Sequence, residues 1–163
     1  MVPQSDGNNL ALSAELLPPL TIYAAMLSTL ASSLPATVLQ TLFRKIATAI
    51  QDYLYARVAT SKVFSAAGGA QFLDDVQYGW EQASRDNKIR RPEAGMGKIK
   101  DAAVLLSLPS GEVSSGFSLA KLVAAAWESD SKFAEVGQLL GLQAITRKEA
   151  QAVLKKRPEC WRA

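Results

Sequence analysis

The sequence predicts an all-α protein, an elongated multi-helix bundle of the helical-rod type in which three long helices precede several short ones. Alanine and leucine dominate the composition, and aromatic residues make up only 7% of it, which favours helices over sheets. Apolar residues recur at spacings of three and four along extended segments. No segment alternates between apolar and polar residues over more than four positions, as a half-buried strand would.

A chain of 163 residues can bury a core as one domain. We expect residues 1–17 to be flexible or weakly helical and residues 18–161 to form a single helical-bundle domain. Within that domain, the long helices are predicted over residues 18–90 and the shorter ones over residues 91–161.

Two prolines mark the first long helices. Pro19 fits the first turn of a helix that ends near Ser33, and Pro35 separates this helix from the next. The second helical pattern runs from Ala36 to about Val63. About 27 residues span about 40 Å at 1.5 Å per residue. A helix of that length indicates an elongated bundle.

The third long helix begins at Ser65, whose hydroxyl can cap it. Gly68 and Gly69 follow where a helix usually favours alanine, which suggests that another backbone crosses too closely for a Cβ. We therefore expect Gly68→Leu to destabilise the fold. No strand precedes the glycines and no Lys-Ser/Thr pair follows them, so they do not form a P-loop. The apolar face of this helix comprises Phe72 or Leu73, with Val76 and Trp80.

The shorter helices follow from capping and turn residues. Thr146 and Glu149 have the capping-box spacing. Four shorter helices are predicted. One runs from Pro92 to Leu108, one is capped by Ser114 or Ser115 and ends at about Glu128, one is capped by Asp130 or Ser131 and ends at Gly137 or Gly141, and one opens at Thr146 and is closed by Pro158.

The residue types that most enzymes need are scarce. The chain contains no histidine and one cysteine, Cys160, which excludes the usual general base, an internal disulfide and a Cys/His zinc site. Asp74 and Asp75 are neighbours on a helix, so their carboxylates point about 100° apart and do not share a proton. The basic residues before Cys160 leave a depressed thiol pKa open, although an ordinary half-buried thiol is favoured. We predict a non-catalytic protein without metal or cofactor.

Charge is unevenly distributed. Residues 1–83 carry four Lys/Arg against six Asp/Glu, and residues 84–163 carry fourteen against nine. A basic half favours anionic lipid or nucleic acid through its field, although interspersed charges of both signs are typical of a solvated surface. A basic helical nucleic-acid-binding module, or another protein-interaction module, therefore stays as the alternative. No apolar run reaches the roughly 18–20 residues that a membrane span needs.

Two sets of residues carry a resemblance to a known family. The first set is Phe64, Gly68, Ala70, Gln71, Asp75, Arg91, Pro92, Arg157 and Trp161. The second is the Lys100-Asp-Ala-Ala-Val-Leu-Leu-Ser-Leu108 segment with Val153-Leu154. Over about residues 18–161 the chain resembles the C-terminal region of the Rad-fifty-interactor/Tip-twenty (RINT/TIP) family, from which residues 1–17 and the Ser/Gly-rich linker 109–118 depart. We call the first set the family-signature residues and expect them to be structural.

This resemblance implies a non-catalytic subunit of the vesicle-tethering complex at the endoplasmic reticulum (ER), the Dsl or NRZ complex. Members act in Golgi-to-ER retrograde transport as cytosolic proteins bound peripherally to the ER. They bind ER SNARE proteins, and they bind sister tether subunits through N-terminal helices. Members are several times longer than this chain, so the resemblance implies a C-terminal segment of such a protein. The sequence does not indicate which helix face would bind a partner.

Overall fold

The computed structural model describes residues 12–111 and 117–160. The regular structure in these ranges is entirely helical, without strands, so the predicted all-α class is confirmed. The α-helices are α1 (Leu17–Ser33), α2 (Ala36–Leu54), α3 (Ala66–Asp74), α4 (Gln82–Asp86), α5 (Gly97–Ser107), α6 (Leu119–Glu128), α7 (Asp130–Leu140) and α8 (Arg147–Leu154).

Two π-helical segments lengthen these helices. Tyr55–Ala59 continues α2, and Asp75–Glu81 joins α3 to α4 in one helical run. The predicted extension of α2 to Val63 is wrong. The Thr60 hydroxyl donates to the Tyr55 carbonyl at 2.9 Å, and the Ser61 hydroxyl donates to the Ala56 carbonyl. These side chains bond to the last helical carbonyls, and the α/π run ends at Ala59.

Helix starts agree with the sequence where a capping side chain has a local pattern. Ser65 accepts from the Gly68 N–H, and Thr146 with Glu149 forms a complete capping box. Gly141 ends α7 with φ of 75°, which selects it over Gly137 as the terminating glycine.

The predicted caps of α6 and α7 and the predicted start of α5 are wrong. The caps of α6 and α7 are Ser118 and Ser129, which accept from Lys121 N and Lys132 N. The predicted caps Ser114 and Ser115 lie outside the described residues. Pro92 begins a 3₁₀ turn, Pro92–Gly95, and α5 starts only at Gly97. A Cβ on Gly95 would lie 2.8 Å from the Ala47 Cβ, so this turn packs closely on α2.

Helix α5 lies at the centre of the bundle. It contacts α2, α3 and α8 as well as both π-helical segments. Most of its surface is buried, which is typical of a helix surrounded by neighbours. Its buried residues are Ile99, Asp101, Ala102, Ala103, Leu105 and Leu106.

Helix α1 is anchored by a buried aromatic pair. Tyr23 and Trp80 meet edge to face with ring centroids 4.8 Å apart, and the Tyr23 hydroxyl is 2.7 Å from the Ser84 hydroxyl. Burial raises the pKa of Tyr23, and the bond to Ser84 lowers it by less. The apolar face predicted for the third helix is confirmed, because Phe72, Val76 and Trp80 are all buried. These contacts fasten α1 to the α3–α4 run.

The predicted close backbone crossing lies at Gly69. Gly69 is buried, and a Cβ there would overlap the carbonyl of Leu106 at the end of α5. Gly68 is exposed, and its Cβ would be 3.4 Å from the Ser65 hydroxyl oxygen, an ordinary contact. The residue that cannot accept a Cβ is therefore Gly69, whereas the sequence predicted the destabilising substitution at Gly68.

We expect Gly69→Ala to lower the free energy of unfolding by about 2 kcal/mol or more, because the added methyl forces α3 away from α5. Gly68→Ala is the matched control. It should leave stability unchanged or raise it by up to about 1 kcal/mol, because alanine is the better helix former at an exposed position. Urea denaturation compares the two variants, and equal midpoints would refute the crossing at Gly69.

Candidate functional site

The most buried of the signature side chains belongs to Arg157. Its guanidinium is fully buried, and one nitrogen, Nη1, donates to the Leu106 and Leu108 carbonyls, both at 2.7 Å. Nε and Nη2 donate to the Glu159 carboxylate at 3.2 and 3.1 Å, and Nη2 also reaches the Ser110 hydroxyl at 3.4 Å. A buried charge with this many partners is compensated. Arg157 therefore fastens the segment after α8 to the end of α5.

The start of α3 joins the same place. The Phe64 N–H donates to the Lys156 carbonyl at 2.9 Å, and the Phe64 ring packs on Phe72 with centroids 5.7 Å apart. The Leu106 carbonyl that accepts from Arg157 is also the group that Gly69 approaches. Three elements therefore meet here: the start of α3, the end of α5 and the segment after α8. The residues in contact are Phe64, Gly69, Leu106 and Arg157.

Asp75 makes a separate connection. It is the first residue of the π-helical segment and is buried. Its carboxylate accepts from the Ser13 N–H at 2.9 Å, from the Ser13 hydroxyl at 2.6 Å and from the Gln71 side-chain amide at 3.1 Å. Asp75 thus ties the residues before α1 to α3. The signature residue Ala70, which precedes Gln71 in α3, is exposed.

The remaining signature residues lie elsewhere. Arg91 is exposed with φ of 52°, and the buried Pro92 follows it at the start of the 3₁₀ turn. Trp161 lies outside the described residues. The signature residues within the described ranges therefore lie at several connections of the fold and do not converge on one cleft.

The described residues contain no group of three or more His, Cys, Asp and Glu side chains that could bind a metal ion. Burial raises the pKa of the Cys160 thiol, and the nearby Arg157 charge lowers it by less. The alternative of a depressed Cys160 pKa is therefore wrong.

Asp101, for which no sequence pattern predicted a role, organises the loop between α7 and α8. One carboxylate oxygen of this buried residue accepts from the backbone N–H groups of Gln143, Ala144 and Ile145 at 2.9, 2.6 and 3.0 Å. Three such bonds order a segment without regular structure of its own. The sequence does carry a signal for this role, because Asp101 lies within an apolar helical stretch. An aspartate is seldom buried without partners, so such a position indicates a carboxylate that accepts hydrogen bonds.

Glu81 is a second buried carboxylate that the sequence left without a role. It is 2% exposed, and it lies 3.3 Å from the Lys100 ammonium and 3.6 Å from the Arg85 guanidinium. The two cations come from α5 and α4. This charge pairing offsets part of the cost of burial, since Oε1 accepts no hydrogen bond from the described residues, and it connects the α3–α4 run to the central helix.

The outer face of α1 is the clearest candidate for contact with another protein. The helix contains no charged residue in its seventeen positions. Ile22 is 71% exposed and Met26, one turn further, is 42% exposed on the same face. A solvent-facing helix normally carries charges, and the depletion of charge around exposed apolar side chains is typical of an interface core.

Comparison with known proteins decides the family. The model of the RINT-1/TIP-1 family matches residues 1–157. The chain belongs to the RINT-1/TIP-1 family. The family inferred from the sequence is thereby confirmed, and with it a role in vesicle tethering in ER transport. The expectation that residues 1–17 depart from the family is wrong, because the match begins at residue 1. No curated protein and no solved structure matches the chain significantly.

Within residues 12–111 and 117–160, no helix is long and apolar enough to cross a bilayer.

We expect Arg157→Ala to lower the free energy of unfolding by about 3 kcal/mol, because the Leu106 and Leu108 carbonyls lose their buried donor. Lys155→Ala is the matched control, since Lys155 is an exposed cation two residues away. Its effect should stay within about 0.5 kcal/mol. Chemical denaturation measures both, and a similar loss in the two variants would contradict the role of Arg157.

Stability should also depend on the ionisation of Glu159. Hydrogen bonds from Arg157, with a further backbone bond, lower the pKa of this carboxyl from 4.5 to about 2. A carboxylate with a depressed folded-state pKa stabilises the protein above its unfolded pKa. That contribution is lost as the pH falls from about 4.5 towards 2.

Melting temperatures measured across this range test the expectation. Wild-type protein should lose stability on acidification more steeply than Glu159→Gln, which lacks the titrating group. Burial raises the pKa of Glu149, but bonds from Thr146 and Lys98 lower it by more, so Glu149 adds to the slope in both proteins. Parallel curves for the two proteins would show that the Glu159–Arg157 pair contributes nothing.

Proposed function

We propose that this chain is a C-terminal helical module of an ER vesicle-tethering subunit that acts in Golgi-to-ER retrograde transport. In this proposal the module is non-catalytic and acts by binding ER SNARE proteins and sister subunits of a Dsl/NRZ-type tether. Membership in the RINT-1/TIP-1 family and the all-α structure support this proposal. In the same proposal, residues 18–161 form one domain at the end of a longer helical rod, held peripherally on the cytosolic ER surface through its partners.

The outer face of α1 is the observation that carries the binding part of the proposal. SNARE proteins present amphipathic helices, and such helices bind by laying apolar side chains against an apolar surface. Ile22 and Met26 are exposed one turn apart on a helix without any charge. Desolvation of this face costs little, because it has no ionic side chain to strip of water. We therefore assign the SNARE contact to α1.

The proposal is tested by isothermal titration calorimetry of the chain against purified cytosolic domains of ER SNARE proteins. We expect saturable one-to-one binding. The double variant Ile22→Asp/Met26→Asp should weaken this binding by about tenfold or more, because buried apolar anchors dominate interface energies. No heat of binding at tens of micromolar would refute the SNARE contact.

The matched control is Val63→Asp/Leu139→Asp. Val63 and Leu139 are 74% and 67% exposed and lie outside α1, so this variant adds the same two charges at other apolar surface positions. It should bind like wild type. An equal loss in the control would show that added negative charge, rather than the α1 face, accounts for the effect.

A further inference from the structure

An open groove of about 950 Å³ lies between α2 and the segment that connects α4 to α5. Five of its lining residues are cationic, and the described residues that line it include no Asp or Glu. The cations are Arg44, Lys88, Arg90, Arg91 and Lys98. A concave surface lined by charges of one sign concentrates the electrostatic potential within it.

Four of these cations are uncompensated. Lys98 is engaged, since its ammonium lies 3.4 Å from Glu149, 3.7 Å from Asp52 and 4.8 Å above the centre of the Tyr55 ring. The side chains of the other four form no hydrogen bond or ion pair with another residue of the described ranges. All four are exposed. Cations held near each other without counter-charges favour an external anion.

The backbone of the connecting segment is strained at two of these cations. Lys88 and Arg91 have φ of 67° and 52°, and they are the non-glycine residues with positive φ in the described chain. Lys88 follows the end of α4, where its N–H bonds to the Arg85 carbonyl and the next N–H bonds to the Ser84 carbonyl. Glycine is the usual residue at this helix-terminating position. Strained residues that are not required for packing cluster at functional sites.

The first turn of α5 adds to the positive potential. Gly97 and Lys98 line the groove, so the N-terminal end of this eleven-residue helix faces it. The Gln51 side-chain oxygen, from α2, accepts from the backbone N–H of Lys98 at 2.9 Å and from that of Ile99 at 3.4 Å. These bonds join the helix end to the opposite wall and fix the width of the groove.

The lining also indicates what the anion is. None of the exposed large hydrophobic residues lies in the groove, so an amphipathic helix has no anchor there. Its aromatic residue, Phe43, is buried, so nucleic-acid bases have no stacking platform among the described residues. Arginine forks match phosphate oxygens in pairs, and three of the four uncompensated cations are arginines.

We propose that this groove binds a headgroup carrying two or more phosphate groups, of the inositol polyphosphate class. A groove of this volume falls within the range of small-molecule sites. Two sources present this chemistry: a phosphoinositide in a membrane and the free soluble headgroup. This site is separate from the α1 face and does not depend on SNARE binding.

The test uses the whole chain and two probes. Soluble inositol 1,4,5-trisphosphate is titrated by calorimetry, and phosphatidylcholine vesicles containing a few mole per cent phosphatidylinositol 4,5-bisphosphate are used in flotation. The groove variant Arg44→Gln/Arg90→Gln should weaken binding by about tenfold or more. The matched control Lys45→Gln/Arg57→Gln removes two exposed cations from the same helical run outside the groove, and it should bind like wild type.

The outcomes separate the sources. Binding to both probes, lost in the groove variant alone, supports the site and admits the free headgroup as ligand. Binding to the vesicles alone, with the same loss, supports a membrane source. Equal binding to phosphatidylserine vesicles of the same charge overturns the proposal, as does tighter binding to duplex DNA or to an acidic peptide. Absence of binding, or equal loss in the control variant, overturns it too.

A second variant distinguishes a binding role from a structural one. Lys88→Gly relieves the strained backbone, so it should raise the melting temperature while it weakens headgroup binding. A residue retained for stability would change both quantities in the same direction. A Lys88→Gly protein that melts lower than wild type, or that binds the headgroup unchanged, would overturn the assignment of Lys88 to the site.

Discussion

The fold depends on one backbone group, the carbonyl of Leu106 in the last turn of α5. Carbonyls at a helix end lack partners within the helix. The Arg157 guanidinium satisfies this one from the segment after α8, and the backbone of α3 passes so close to it at Gly69 that no Cβ fits. Two elements distant in sequence therefore meet on the same atom. A shift of either one disturbs the contact of the other, so α3, α5 and the end of the chain are held as one unit.

Helix α5 is also bonded to other parts of the bundle. Further along its length, Asp101 orders the loop before α8, and its first turn is bonded to α2 through Gln51. Buried polar networks with every member satisfied are rigid. The surfaces left over from this framework are the uncharged face of α1 and the basic groove beside α2. A tether has to hold partners in place, and rigid helices that present distinct surfaces suit that task.

Local patterns were predicted best. The capping box at Thr146 and the cap at Ser65 agree with the structure, because a cap depends on residues three positions apart. The start of α5 and the caps of α6 and α7 were misplaced. More than one serine lies near the start of α6 and of α7, and the choice among them depends on how the preceding segment packs. At α5, Pro92 begins a 3₁₀ turn, and the α-helix starts only at Gly97. Gly68 and Gly69 were also indistinguishable in sequence, since only the position of α5 decides which of them faces a backbone.

The sequence by itself determined the helical class, the RINT-1/TIP-1 family and the absence of histidine chemistry, since composition and periodicity are properties of the chain. The sequence was also sufficient to identify the signature residues, although it did not indicate which contacts each of them makes. Tertiary structure decided that Arg157 is buried, that Asp75 binds Ser13 and that cations from α2 and the α4–α5 connection line one groove. These contacts join residues about fifty positions apart or more, and no spacing rule reaches that far, because such proximity arises only when the helices pack.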